Sequence, residues 1–99
     1  MKYEIWQAPS SAKFKFMHYD WIEGNKPTIC DYVMVYSGET EIEDDILESL
    51  WEMFNVNPPG DYHGMSLSVS DVICLIDRYN KRRWWYVDGI GFHNLNWEV

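Results

Sequence analysis

Between Lys26 and Arg78 the chain contains no lysine and no arginine. The same stretch holds eleven carboxylates: Asp31, Glu39, Glu41, Glu43, Asp44, Asp45, Glu48, Glu52, Asp61, Asp71 and Asp77. All eight basic residues lie towards the two ends, within a net charge of −8. A field of one sign repels nucleic acid and attracts basic surfaces, so the expected partner is a protein with a basic surface and not DNA or RNA. Cysteine is also scarce. Cys30 and Cys74 form no CxxC pair and sit in apolar runs, which predicts buried thiols and no disulfide framework. No apolar run approaches the roughly 18 residues of a membrane span, and Met1-Lys2-Tyr3-Glu4 lacks the order of a signal peptide. The expected compartment is the cytoplasm.

Catalytic signatures are missing as well. There is no Gly-rich phosphate loop, HExxH or GxSxG. His18, His63 and His93 stand singly, without the spacing of metal-ligand pairs. A Cys74/His63/Asp71 grouping can be written down, but it is non-specific, and the Asp88-Gly89-Ile90-Gly91-Phe92 run reads as turn chemistry. The expectation is a non-enzyme without metal or cofactor.

What the chain does have is core material. Apolar residues make up 46% and aromatics 17%, with six Trp and seven Tyr, more than a disordered segment carries. Residues 1–99 therefore read as one domain. Lys2–Gln7 reads as a strand, and Lys13–Phe16, alternating charge and ring, as a short extended piece. His18–Glu23 suits one helical turn before the loop signal Gly24-Asn25-Lys26-Pro27. Ile29–Tyr36 predicts a second strand. Thr40 with Glu43 predicts a capping box opening a helix to about Phe54, with Ile42, Ile46, Leu50 and Met53 as its apolar stripe. Asn55–Gly60 ends it. Asp71–Asp77 reads as a strand buried on both faces, Arg78–Lys81 as a turn and Arg82–Asp88 as its hairpin partner. His93–Val99 suits a short edge strand. In Ser66–Asp71 the hydroxyls and the carboxylate are expected to bond nearby backbone amides, a groove lining being the alternative. The fold class is α+β: a mostly antiparallel sheet of four or five strands with one principal amphipathic helix packed on a face.

The sharpest physical feature is the acidic helix. First-turn carboxylates are favoured by the helix dipole, but Asp44, Glu48 and Glu52 would form a like-charge i, i+4 row, mildly destabilising and without relief from a cation. A row of negative charges about 6 Å apart, from the 1.5 Å rise per residue, coarsely matches the charge density of a nucleic-acid backbone. Glu41, Asp44, Asp45, Glu48 and Glu52 are therefore the expected partner-binding residues, and a solvated face is the alternative. A second expected surface is ring-rich: Trp84, Phe92 and Trp97.

Two blocks, Gly64–Ile73 (GMSLSVSDVI) and Trp85–Phe92 (WYVDGIGF), resemble the paired signature of YodL-like domains. Tyr3–Gln7, Asp31–Gly38, Leu50–Asn55 and Asp61–Gly64 fit the same pattern. Met65 departs from it, since the family often carries His there, so no role for such a histidine transfers. The resemblance implies a setting in Firmicutes mobile elements, beside antirestriction functions, and it implies no catalytic residues. On this reading the chain is an inhibitor of anti-CRISPR or antirestriction type that binds a basic nucleic-acid-binding surface of a defence nuclease. The alternative is a regulator of a housekeeping protein such as the actin-like cell-shape cytoskeleton, acting through Trp84, Phe92 and Trp97.

Overall fold

The computed structural model describes residues 1–24 and 26–99. Asn25, within the loop expected at residues 24–27, lies outside the described residues. Five strands form one antiparallel sheet: β1 (Lys2–Gln7), β2 (Val33–Glu39), β3 (Val72–Ile76), β4 (Arg82–Val87) and β5 (Phe92–Asn94), in the order β2-β1-β3-β4-β5. One α-helix among the described residues, α1 (Ile46–Val56), completes the expected α+β architecture.

Alternation along the strands sorts side chains between two faces. Tyr3, Ile5, Ile73, Leu75 and Val87 face α1, where Leu50 and Phe54 are inserted with Leu67. Val72, Cys74, Ile76, Trp84 and Tyr86 face the other way. That second face is covered by the irregular segment after β1, through Ala8, Phe14, Ile22 and Tyr32, and by Leu95 from the tail. With both faces covered, every residue of β3 is buried, as its unbroken apolar run predicts.

Four expectations need correction. Lys13–Phe16 is not extended but folds into consecutive turns, with Lys15 N donating to Ala12 O at 3.1 Å and Met17 N to Phe14 O at 2.9 Å. Phe16 is left-handed (φ 66°), and Lys15 points inward while Phe16 is exposed, the reverse of a solvated-charge alternation. Ile29–Asp31 is a 3-10 turn, held by Thr28 N donating to Asp31 Oδ2 at 2.8 Å, so β2 begins only at Val33. Cys30, on that turn, is exposed and not buried. The helix does not begin at Thr40. β2 continues to Glu39 opposite Lys2, Thr40 N bonds Met1 O at 2.9 Å, and the Thr40 hydroxyl accepts from Ile42 N. Held in the sheet's line, the backbone cannot turn there; Asp45, left-handed at φ 50°, precedes the helix without a side-chain cap.

Asp71, at the head of β3, ties these layers together. Its carboxylate is fully buried and accepts from Ser68 N (2.9 Å), Gln7 Nε2 (3.2 Å) and Lys15 Nζ (3.4 Å). Lys15 also donates to Ala8 O at 3.0 Å. Burial raises the Asp71 pKa above its ordinary value of 3.8, against the opposing pull of the Ser68 amide and Lys15. The folded state thus holds this proton more tightly than the unfolded chain. The stability it confers is complete below pH 3.8 and is lost as pH rises through the folded pKa. Removing one member of a buried pair leaves the other uncompensated. Lys15→Met is expected to cost about 3 kcal/mol at pH 7 and less at pH 5, because loss of the cation favours protonation of Asp71, which relieves the unpaired charge. Lys15→Met with Asp71→Asn should cost less than the sum of the singles. Urea titrations of the four proteins at both pH values measure this, and a pH-independent loss would show that Lys15 acts only by packing.

Candidate partner-binding face

The helix α1 turns Leu50 and Phe54 inward and packs Ile46, Leu47 and Met53 beside them. Glu48, Trp51 and Glu52 are left in water. Ile42, expected in the apolar stripe, lies outside the helix and is exposed. Glu41, Asp44 and Asp45 lie on the strap leading into α1 and, like Glu48 and Glu52, are exposed. All five expected residues are thus exposed, Glu48 and Glu52 beside one depression and Glu41 beside another. The regular like-charge spacing is shorter than expected, because Asp44 precedes the helix and only Glu48 and Glu52 lie on it.

Among the described residues there are three ion pairs: Lys15–Asp71, His18–Asp88 and Arg82–Glu4. None involves the acidic stretch. The strap acids Glu41 and Glu43 share a shallow depression with Arg78, which offsets part of their field. Glu48 and Glu52 have no such neighbour. They form one wall of a groove of about 820 Å³ between α1 and the β4–β5 turn, opposite Asp88 and Gly89. Trp51 and Val56 continue the helix wall, and Leu67, Val87 and Phe92 supply apolar lining.

The expected ring-rich surface does not exist as one surface. Trp84 is only 2% exposed and packs against Trp6 and Trp97, 5.4 and 5.2 Å away. Trp97 lies with it under the face opposite α1, whereas Phe92 packs on the helix side. The cause is register: Trp84 lies opposite Cys74 in the sheet interior, so its ring completes the core. Trp51 and the groove escaped the sequence. The available signal was a tryptophan outside the apolar stripe of an amphipathic helix.

The residues once grouped as a triad have other commitments. Asp71 is bonded to Lys15, Gln7 and the Ser68 amide. Burial pushes the Cys74 thiol up to about 11, and His63 is exposed. His18 lies 3.5 Å from Asp88 and packs on Trp21, while His93 stacks on Tyr19. Among the described residues no three His, Cys, Asp or Glu side chains are grouped to hold a metal. In the Ser66–Asp71 run Asp71 accepts from the nearby Ser68 N as expected, but Ser70 Oγ accepts from the distant Phe16 N. Ser68 lines the groove, as in the alternative reading. The run also joins the two signature blocks. Ser70 N donates to Val87 O at 2.9 Å and Val87 N to Asp71 O at 2.8 Å.

The profile of the YodL-like domain matches residues 2–97, nearly the whole chain. The chain belongs to the YodL-like domain family. Comparison with curated proteins and with solved structures gave no match. In this YodL-like domain the paired blocks build the interior seam that carries β3 and β4, and the groove opens beside the second block. No helix is long and apolar enough to cross a membrane among the described residues.

The two helix acids differ in what they contribute to folding. Glu48 lies in the first turn, where the dipole favours it. Glu52 lies beyond that turn and repels Glu48. Glu52→Lys converts the pair to Glu–Lys in the favourable i, i+4 order. It is expected to stabilise the YodL-like domain by about 0.5 kcal/mol, or roughly 2–4 °C in Tm, read by thermal melts at low salt. A lowered Tm would mean that Glu52 supports the fold.

Proposed function

We propose that this YodL-like domain is a non-enzymatic inhibitor that counters a host defence nuclease, of restriction or CRISPR type. It lays the surface around Glu41, Asp44, Asp45, Glu48 and Glu52 on the nuclease's basic nucleic-acid-binding surface. The observation that carries this reading is that those five carboxylates are exposed and that, among the described residues, none of them is in an ion pair. The like-charged Glu48 and Glu52 are disfavoured for folding, and a cationic partner removes that repulsion. The setting implied for YodL-like domains, beside antirestriction functions in mobile elements, agrees with it.

Docking of this kind is long-range and screened: the Debye length falls from about 10 Å at 0.1 M salt to about 3 Å at 1 M. Inhibition of nuclease cleavage should therefore weaken steeply with salt. Reversing Asp44, Glu48 and Glu52 to Lys places like charges against the partner and should lower its affinity by a factor of about 100. Equivalent reversals of exposed Asp20, Glu23 and Glu98, outside this surface, should leave it nearly unchanged. Transfer of an unmodified plasmid into hosts carrying restriction or CRISPR nucleases, with each variant expressed, reads the outcome. Undiminished protection by the Asp44/Glu48/Glu52 reversal, or none by the native protein across such hosts, sinks the proposal.

A further inference from the structure

The groove beside α1 has a composition of its own. Two exposed carboxylates, Glu48 and Glu52, stand on its helix side, outside any ion pair among the described residues. Asp88 on the turn side is engaged by His18 at 3.5 Å, and no Lys or Arg lines the groove. Its lining is mostly apolar, and large apolar groups are left in water along it: Trp51 is 42% and Val56 76% exposed. At its edge, between lining residues Gly89 and Gly91, Ile90 is 93% exposed.

The turn is built so that Ile90 stays out. Asp88 N donates to Gly91 O at 3.1 Å, and Gly91 takes φ +72°, a conformation L side chains rarely adopt. Asp88 Oδ1 is anchored in turn, accepting from Tyr19 N and Gly89 N. A fixed loop therefore presents an isoleucine that packs on nothing in its own chain. A half-exposed tryptophan stands on the wall facing that loop. Tryptophan is among the residues that most often dominate binding energy at interfaces.

We propose that this groove takes an apolar side chain of a partner protein, one flanked by lysines or arginines. The apolar group packs on Trp51, Val56 and the apolar lining with Ile90 at the edge, and the flanking cations meet Glu48 and Glu52. Charge complementarity fixes the class of occupant. A nucleic acid or an acidic peptide meets Glu48 and Glu52 with no Lys or Arg in the lining to offset them, and a purely cationic surface leaves the apolar lining in water. Glu48 and Glu52 are about 6 Å apart along the helix, a spacing matched by lysines one helical turn apart. This inference deepens the proposed function and rests on its premise that the acidic side of α1 faces the partner. It adds that charge alone does not suffice.

The probe is a twelve-residue synthetic peptide of leucine and lysine, titrated into the full chain. Amide chemical shifts and fluorescence anisotropy provide the readouts. A peptide of equal charge with serine replacing leucine is the control. Saturable binding is expected, with shifts centred on Trp51, Val56 and residues 89–92, and affinity roughly tenfold above the control. Trp51→Ser and Ile90→Ser should each weaken it about tenfold; Ile90, almost wholly exposed, can be replaced without disturbing the fold. Equal binding of the two peptides, shifts confined to residues 39–45, or indifference to both substitutions overturns the site. Peptide binding in the groove without inhibition of any nuclease overturns the counter-defence reading and leaves the site standing. Inhibition without peptide binding in the groove does the reverse.

Discussion

A carboxylate with no access to water, at the first residue after the long loop, is the constraint on which this molecule turns. Asp71 is satisfied only when three distant segments arrive together: Gln7 from the end of β1, Lys15 from the irregular segment and Ser68 from its own loop. An unpaired charge in such a place is strongly disfavoured, so the alternatives in which one segment is absent are removed. The bonds around it follow the same logic. Tyr32 donates to Ser70 O at 2.7 Å, Tyr86 to Met17 O at 2.6 Å, and Phe16 N to Ser70 Oγ. A segment without regular structure is thereby pinned across a whole face of the sheet.

That pinning decides which rings become core and which remain available. With the 8–32 segment and the tail in place, Trp84, Tyr86 and Trp97 are enclosed on the face opposite α1. Edge-to-face and tilted contacts link Trp6, Trp84, Trp97 and Tyr32 in series, geometry that aromatic pairs prefer. On the other face, α1 covers Tyr3, Ile73 and Leu75 but does not reach far enough to close over the β4–β5 turn. The groove is the space left between a helix of 11 residues and a sheet wider than one helix can cover.

The parts of this fold visible in the sequence are those where local pattern and tertiary demand agree. Val72–Ile76 is uniformly apolar because it is interior on both sides. Arg78–Lys81 turns where Asp77 Oδ1 accepts from Tyr79 N and Lys81 N and Asn80 takes φ 62°. The failures are cases where a distant partner overrode a local preference. Thr40 and Glu43 have the right spacing for a capping box, but Thr40 is held by Met1 across the sheet. Lys13–Phe16 alternates like a strand, yet Lys15 is drawn inward to Asp71, a residue 56 positions away. Of the acidic surface, the composition was legible and the geometry was not. Glu48 and Glu52 could be assigned to one helix face, but the groove depends on where α1 lies against a turn 40 residues later, and that carries no local signal.

The placement of the cations makes the acidic surface what it is. Lys15 is committed to Asp71 and Ala8, Arg82 to Glu4 at 2.6 Å, and Lys26 to the carbonyls of Tyr19 and Ile22. Arg78 and Lys81 stand at the hairpin where β4 begins, while the groove opens where β4 ends. At about 3.4 Å per residue, those ends are some 17 Å apart, beyond the Debye length at physiological salt. Arg78 and Lys81 at that hairpin therefore do little to screen Glu48 and Glu52. Asp88 has His18 3.5 Å away, whereas among the described residues Glu48 and Glu52 pair with no cation. Any cation that meets them must come from another molecule.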